Sequence, residues 1–468
     1  MELLGTCTAL LVIWISFLLL SATWKSKMYR KGKMPPGPTP LPIIGNVLQL
    51  KGKYWDQQFS KVSKKYGPVF TVYLGMEPAV VLNGYEAIKE VLIDQGNDFS
   101  ARAKIPLADK VIKGGVFSNG KTWKQLRQFA LTTLRNFGMG KRSIEERIQT
   151  EAQFLLEKFH DTKGQPFDPH YLMINAVSSV IGSVIFGKHY GYNDKMFQTF
   201  TTLIFQIEIS GQNIWGSQFA SFVPLLKYVK CREFILEEAK EHRATLDPNS
   251  PRDFIDCFLI KMDQEKHDEA SEFTMENMVT CCIDLFGAGT ETTSSTLKYG
   301  LLLLQKYPEI EEKVHEEIDR VVGHSRMPSM ADRRQMPYTD AVIHEIQRFI
   351  SLLSLSLPHA VVKDTPFRGY IIPKGTTVIP VLTSVLYDSK EFPNPTEFDP
   401  GHFLNEDGTF RKSDYFMPFS AGKTFPSPHW AATLDIRWSS MEYCVVSMLY
   451  GHVLAAFSPN VLPAFLAG

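Results

Sequence analysis

Hydrophobic positions recur at three- and four-residue spacing along most of the chain beyond residue 43. This period predicts helices over 121–137, 144–160, 273–307, 309–322 and 338–350. Strand signals are fewer and shorter. Val69 to Leu74 and Ala79 to Leu82 are apolar, β-branched runs bounded by Gly or Pro, and 367–382 reads as strand, a turn at Pro373-Lys374-Gly375, and strand. No repeat or low-complexity block interrupts residues 43–423, so the pattern predicts one mainly α body with a small β portion.

The amino-terminal pattern differs in kind. Leu3 to Trp24 is 22 residues without a charge, enough helix to cross about 30 Å of hydrocarbon. Lys25, Lys27, Arg30, Lys31 and Lys33 follow at once, which keeps the downstream chain on the cytosolic side. A cleaved signal peptide is the competing reading. No basic stretch precedes the apolar run and the basic cluster behind it opposes translocation, so residues 1–24 are expected to be an uncleaved anchor. Five prolines between Pro35 and Pro42 forbid helix and stiffen the chain, so 25–42 is expected to act as a basic stop-transfer and Pro-rich hinge; a polyproline ligand is the other use of such a run.

Composition narrows the function classes. The 50 basic and 50 acidic residues cancel, so no global field draws nucleic acid. With 44% apolar and 21% charged residues over 468 positions, the chain is neither disordered nor collagenous. Six cysteines without a C-x-x-C pair make neither a disulfide scaffold nor a structural zinc site, and no protein metal-ligand set is expected. Cys281 and Cys282, adjacent in an apolar run, are expected to be buried thiols.

Three constellations carry candidate chemistry. Within 273–307, Ala288-Gly289-Thr290-Glu291-Thr292-Thr293 puts small, hydroxyl and acidic residues into an apolar helix. Gly289 costs about 1 kcal/mol against Ala, and a Thr hydroxyl can bond the carbonyl four residues back. Such a run could relay protons beside a flat cofactor, or form a polar turn on a solvated face. Glu345 and Arg348 stand at i, i+3 between apolar positions, which by itself is what an ordinary exposed pair looks like. Between Lys121 and Arg142 there are six basic residues and no acid, with Trp123 and Arg127 on one helical face. These two could reach a buried anion while Lys121 and Lys124 meet an acidic partner, or the whole face could be solvated.

These pieces stand in a fixed order: anchor, Pro-rich segment, Trp123-x-x-x-Arg127, Ala288-Gly289-Thr290-Glu291-Thr292, Glu345-x-x-Arg348, Phe392-Pro393-Asn394-Pro395-x-x-Phe398-Asp399-Pro400, and Phe416-Met417-Pro418-Phe419-Ser420-Ala421-Gly422. Over residues 1–423 the chain resembles a microsomal cytochrome P450 of the vertebrate drug- and fatty-acid-metabolising family. The resemblance implies a mainly helical haem domain over 43–423 and a monooxygenase that inserts one oxygen atom of dioxygen into lipophilic substrates such as fatty acids, steroids or xenobiotics. Electrons would come from NADPH through the cytochrome P450 reductase, docked on the helix of Lys121 and Lys124, at the endoplasmic reticulum membrane with the body facing the cytosol. It also implies that Thr292 and Glu291 manage proton delivery and that Arg102, Trp123, Arg127 and His359 hold the haem propionates. Ala288 and Phe419 would stand against the haem, and Glu345 and Arg348 would form a buried pair joined by His402. Substrate would be lined from about 104–117, 200–219, 286–288 and 351–357.

The family's haem-ligand pattern runs Phe, two residues, Gly, three residues, Cys, one residue, Gly. Phe419 and Gly422 fit it, and then the basic position is Thr424, the thiolate position is Pro426 and the last glycine is Pro428. The tail 424–468 replaces the haem-ligand loop, the proximal helix and the last hairpin. Proline offers no metal donor, Cys444 lies 18 positions beyond the ligand site (444 − 426), and ligation by His429 would lack the thiolate push. The expectation is therefore an oxygenase body impaired in its chemistry; the alternative is a non-enzymatic, splice-type variant that binds membrane, reductase or related chains.

Overall fold

The computed structural model describes residues 15–16, 34–103, 115–137, 142–213, 222–323 and 325–421, except the single positions 51, 53, 117, 164 and 166. The rest of the expected anchor and the tail with Pro426, His429 and Cys444 lie outside the described residues. Among the described residues, no helix is long and apolar enough to cross a membrane. The predicted mainly α architecture with a small β portion is observed.

Two compact units are formed, one by 34–103 with 353–385, the other by 115–352 with 386–419. The first holds helices α1 (Trp55–Tyr66) and α2 (Tyr85–Lys89) and all the strands: β1 (Val69–Leu74), β2 (Glu77–Asn83), β3 (Ala101–Arg102), β4 (His359–Ala360), β5 (Thr365–Phe367), β6 (Tyr370–Ile372) and β7 (Thr377–Val381). A five-stranded sheet runs β1-β2-β7-β4-β3, and β5 pairs with β6 alone. Alternate apolar residues of β1, β2 and β7 bury Phe70, Val72, Ala79, Val81, Ile379 and Val381 with Phe59 of α1. The turn expected at Pro373-Lys374-Gly375 is present, with Gly375 at φ +79° and Thr376 N–H donating to Pro373 at 3.1 Å. The strands it joins do not pair with each other, however: β6 turns back on β5 and β7 pairs with β2 and β4. Sequence alternation cannot choose between those partners, because each offers an apolar face of the same period.

The second unit is helical: α3 (Gly120–Asn136), α4 (Arg142–Asp161), α5 (His170–Phe186), α6 (Lys195–Asn213), α7 (Phe222–Thr245), α8 (Phe254–Gln264), α9 (Met275–Lys306), α10 (Pro308–Val321) and α11 (Pro337–Ile350). The 32-residue α9 starts where the Thr274 hydroxyl caps the Asn277 N–H, and it packs against α3, α5, α6, α7, α10 and α11. Helix α5 is apolar on every face and buried along its length from Met173 onward apart from Asn175, as expected of a helix surrounded by others. Aromatic rings lock the crossing of α5, α6, α7 and α9: Phe200 stacks on Phe234 at 4.5 Å and meets Phe286 edge-on at 4.8 Å. Cys281 and Cys282 are fully buried in this core, and burial pushes both thiols well above the usual range, so they act as apolar fillers.

Helix α5 ends on Gly187, at φ +66°, where an added Cβ would lie 2.4 Å from Asp253 Oδ2. Asp253 itself caps α8 through the Asp256 N–H and accepts from His242 Nε2–H at 2.8 Å. The other ring nitrogen of His242 faces the Glu238 carbonyl at 2.6 Å. Since both partners only accept, both nitrogens carry protons and the buried ring is an imidazolium. Gly187→Ala should cost roughly 2–4 kcal/mol of unfolding free energy in a denaturant titration, because it combines backbone strain with displacement of a buried charged cap.

Candidate functional site

The basic helix divides cleanly. On α3, Trp123 and Arg127 are buried beside Leu126 and Ala130, while Lys121 and Lys124 are exposed. The guanidinium carbon of Arg127 lies 4.9 Å from the Trp123 ring centroid, within the reach of a cation–π contact between neighbours at i, i+4. The reading of a wholly solvated face is thereby set aside.

In the other unit, the two-residue strands β3 and β4 place Arg102 directly opposite His359. His359 is buried and its Nδ1–H donates to the Phe99 carbonyl at 3.0 Å. Burial, reinforced by the Arg102 charge, pushes its pKa down to about 3. It is therefore neutral at physiological pH, with Nε2 bare. An anion placed at Nε2 would draw a proton onto it, since a nearby negative charge favours the imidazolium.

Helix α9 stays continuous through 288–296. Thr292 Oγ1 donates to the Ala288 carbonyl at 2.7 Å and Thr296 Oγ1 to the Thr292 carbonyl at 2.8 Å. The hydroxyls of Thr290 and Thr293 are buried without a protein hydrogen-bond partner, so the polar atoms of this run lie within the fold and not on a solvated turn. Ala288, Glu291 and Thr292 are half-buried. One turn earlier, Asp284 Oδ2 accepts the Val116 N–H at 2.9 Å. A Cβ on the adjacent Gly115 (φ +77°) would meet that same oxygen at 2.3 Å. This tether of the 115–116 backbone to α9 was not predicted; its signal in the sequence is a single acid inside the apolar run Cys281–Phe286.

Glu345 and Arg348 are wholly buried on α11 and joined by two parallel bonds of 2.7 Å, Nε to Oε2 and Nη2 to Oε1. Arg348 also donates to the carbonyls of Leu386 and Pro395 at 2.9 Å and of Glu397 at 3.2 Å. Its guanidinium lies 5.3 Å from the ring centroids of both Tyr387 and Phe392. Glu345 accepts the Asp399 N–H at 3.0 Å and faces His402 Nδ1 at 3.2 Å. The other His402 nitrogen lies 2.6 Å from the Pro393 carbonyl. Both ring nitrogens again face acceptors, so His402 is a cation and the expected third arm is present. Burial works against that charge, but the bond to Glu345 and its negative charge outweigh it and raise the pKa. Helix α11 is itself held at its start by Glu317 of α10, whose Oε2 accepts both the N–H and the hydroxyl of Thr339 at 2.7 Å.

The fold thus brings together Trp123 with Arg127, Arg102 with His359, Thr292 with the Ala288 carbonyl, and Glu345, Arg348 and His402 with 386–402. Phe419, beyond this segment, is half-buried. The match to the model of the cytochrome P450 family spans residues 35–425. The chain belongs to the cytochrome P450 family. It is 52% identical over 437 residues to cytochrome P450 2C23 of Rattus norvegicus, covering 90% of this chain and 88% of that relative. To cytochrome P450 2C8 of Homo sapiens it is 54% identical over 443 residues, covering 91% and 90%. The cofactor of cytochromes P450 is haem. Within each unit taken by itself, the donors present, Arg127 beside Trp123 and Arg102 opposite a His359 able to take a proton, have the chemistry to receive a carboxylate. At the position of the iron ligand the sequence has Pro426, which does not suit its metal.

Two outcomes are expected for the buried triad. Arg348→Leu should cost about 3–5 kcal/mol in a denaturant melt, since it leaves Glu345 charged and unpaired in the interior. Because the folded pKa of His402 is raised, its stabilisation is complete below the ordinary histidine value near 6.5 and is lost as pH climbs through the folded value. The melting-temperature gap between the parent chain and His402→Gln should accordingly be widest in mild acid and narrow toward alkaline pH; the comparison cancels the like contribution of His242.

Proposed function

We propose that this chain is a membrane-bound cytochrome P450 body, built like the monooxygenases of lipophilic substrates, that does not carry out their oxygen chemistry. The observation that carries the reading is Pro426 at the thiolate position, followed by Pro428 in place of the final glycine. The family match, which ends at residue 425, supports it. Bound haem would supply oxygen activation only with a thiolate on its iron, and proline has neither a thiolate nor another donor atom.

The remaining residues keep recognisable tasks. Arg102 and Arg127 hold anionic carboxylates by charge-assisted bonds, with Trp123 beside Arg127 and His359 becoming cationic as an anion approaches. The half-buried Ala288 leaves room next to α9, and Phe419 stands where the haem-ligand segment begins. Thr292, whose hydroxyl proton is given to the Ala288 carbonyl, keeps its oxygen lone pairs as acceptors, with Glu291 next to it as the proton-holding group. Exposed Lys121 and Lys124 face an acidic partner, for which the NADPH-dependent reductase is the candidate. The anchor at 1–24 and the basic residues behind it set the body on the cytosolic face of the endoplasmic reticulum. A transcript with an alternative last exon, or with read-through into intron, would account for the abrupt change at 424, and the product would compete for reductase or pair with full-length relatives.

The deciding measurement is the spectrum of the dithionite-reduced carbon monoxide complex after expression with haem precursor, beside the same body carrying a cysteine-bearing tail of the family. The parent chain should give no thiolate-type Soret band and the restored chain a normal one. A thiolate-type band from the parent chain would overturn the reading.

A further inference from the structure

The turn that joins α5 to α6 is tied to its surroundings on three sides. Residues 187–194 are exposed apart from Tyr190, which is buried, and Tyr192, which is half-buried. Lys188 reaches α7, where its Nζ lies 2.9 Å from Glu238 Oε2 and 2.6 Å from Glu241 Oε2. Toward α6, Tyr190 stacks on Phe197 with ring centroids 4.0 Å apart, and Asp194 caps the helix by accepting the Phe197 N–H at 3.0 Å.

The third tie, to α4, is of another kind. Glu151 of α4 is 1% exposed, and neither of its carboxylate oxygens has a hydrogen-bond partner. Among the described residues, the one basic group within ion-pair distance of it is His189, whose Nδ1 lies 3.7 Å from Glu151 Oε2. Arg147, one turn earlier on α4, is committed to the carbonyl and hydroxyl of Ser183. The same His189 nitrogen is 3.2 Å from the Ser179 hydroxyl of α5, and its ring stacks on exposed Phe154 of α4 at 5.3 Å. The side chain of His189 is 49% exposed, so this imidazole stands between water and a carboxylate that water does not reach.

A carboxylate in such a place is tolerable in two forms: with a proton of its own, or beside an imidazole that carries one. Either form holds one proton for the two groups. Without it an anion is left in the interior with nothing to offset it, and the exposed turn lifts more readily than the packed helices to let water in. We infer that Glu151 and His189 share a single proton and that this proton latches the turn between α5 and α6 onto α4, so that the turn loosens as pH rises.

The neighbouring groups agree with that direction. Burial pushes the Glu151 carboxyl above its ordinary value, against the pull of the Tyr192 and Ser179 hydroxyls and of His189. A carboxyl whose folded value is raised gives stability that is complete below the ordinary carboxylate value and is lost as pH climbs through the folded value. Burial, together with the charge of Glu238 on Tyr190 and of Glu151 on Tyr192, keeps both phenols protonated far past neutrality. Burial works against the charge of Lys188, but the bonds to Glu238 and Glu241 outweigh it. The proton of the Glu151 and His189 pair is therefore the one that changes hands in this turn near neutral pH.

The test is hydroxyl-radical footprinting of the full chain in detergent, followed by peptide mapping, from about pH 5.5 to about pH 8.5, the range around the titration of an ordinary histidine. Tyr171, 68% exposed, calibrates the radical dose, and Tyr228, 6% exposed, reports loosening of the whole helical unit. Oxidation of Tyr190 and Tyr192 relative to Tyr171 should rise several-fold toward alkaline pH while Tyr228 stays protected. His189→Arg, a cation throughout the range, and Glu151→Gln, which leaves no anion behind, should each abolish the rise. A flat profile in the parent chain, a rise matched at Tyr228, or a rise retained in a variant whose Tyr228 is protected would overturn the inference. Should one variant expose Tyr228 at every pH, the other decides.

Discussion

A single buried ion pair organises the carboxyl half of the helical unit. Arg348 and Glu345 occupy one face of α11 with no access to water, where an unpaired charge would be untenable. Each makes itself acceptable by binding other parts of the chain. Arg348 takes three backbone carbonyls from 386–397, Glu345 takes the Asp399 N–H, and His402 closes the set with a proton on each ring nitrogen. The irregular segment 386–402 has little secondary structure of its own to fix it, so its path is set by the hydrogen-bond demands of two side chains. Among the described residues, the partners of this set lie between 386 and 402.

The chain therefore separates two things that usually go together in a cytochrome P450. Basic donors are kept in both units: Arg127 lies over the Trp123 ring in one, and Arg102 stands across a strand pair from His359 in the other. The metal donor is missing from the sequence position that should supply it.

The buried histidines show how the same residue type is tuned in opposite directions by its neighbours. His402 and His242 each face a carboxylate on one nitrogen and a carbonyl on the other, and are held charged. His359 faces a carbonyl on one side and has a guanidinium across the strand pair, and is held neutral. Burial opposes the charge in all three; the sign of the adjacent group decides the result.

Much of this was legible in the sequence, because local spacing carries it. The helical periods, the Trp123 and Arg127 face, the hydroxyl run at 288–293, and the replacement of cysteine by Pro426 all depend on residues close together in the chain. What the sequence left open is what tertiary packing decides. A Glu-x-x-Arg pair looks like any exposed helix pair until 386–402 folds over it; an acid such as Asp284 gives no hint that it will hold the backbone at Val116. Strand partners were open for the same reason, since 367–382 has the alternation of a hairpin while its last strand pairs with β2, almost three hundred positions earlier. Spacing determines which face a residue occupies, but only the folded chain determines what stands opposite, and that sets charge, proton and role.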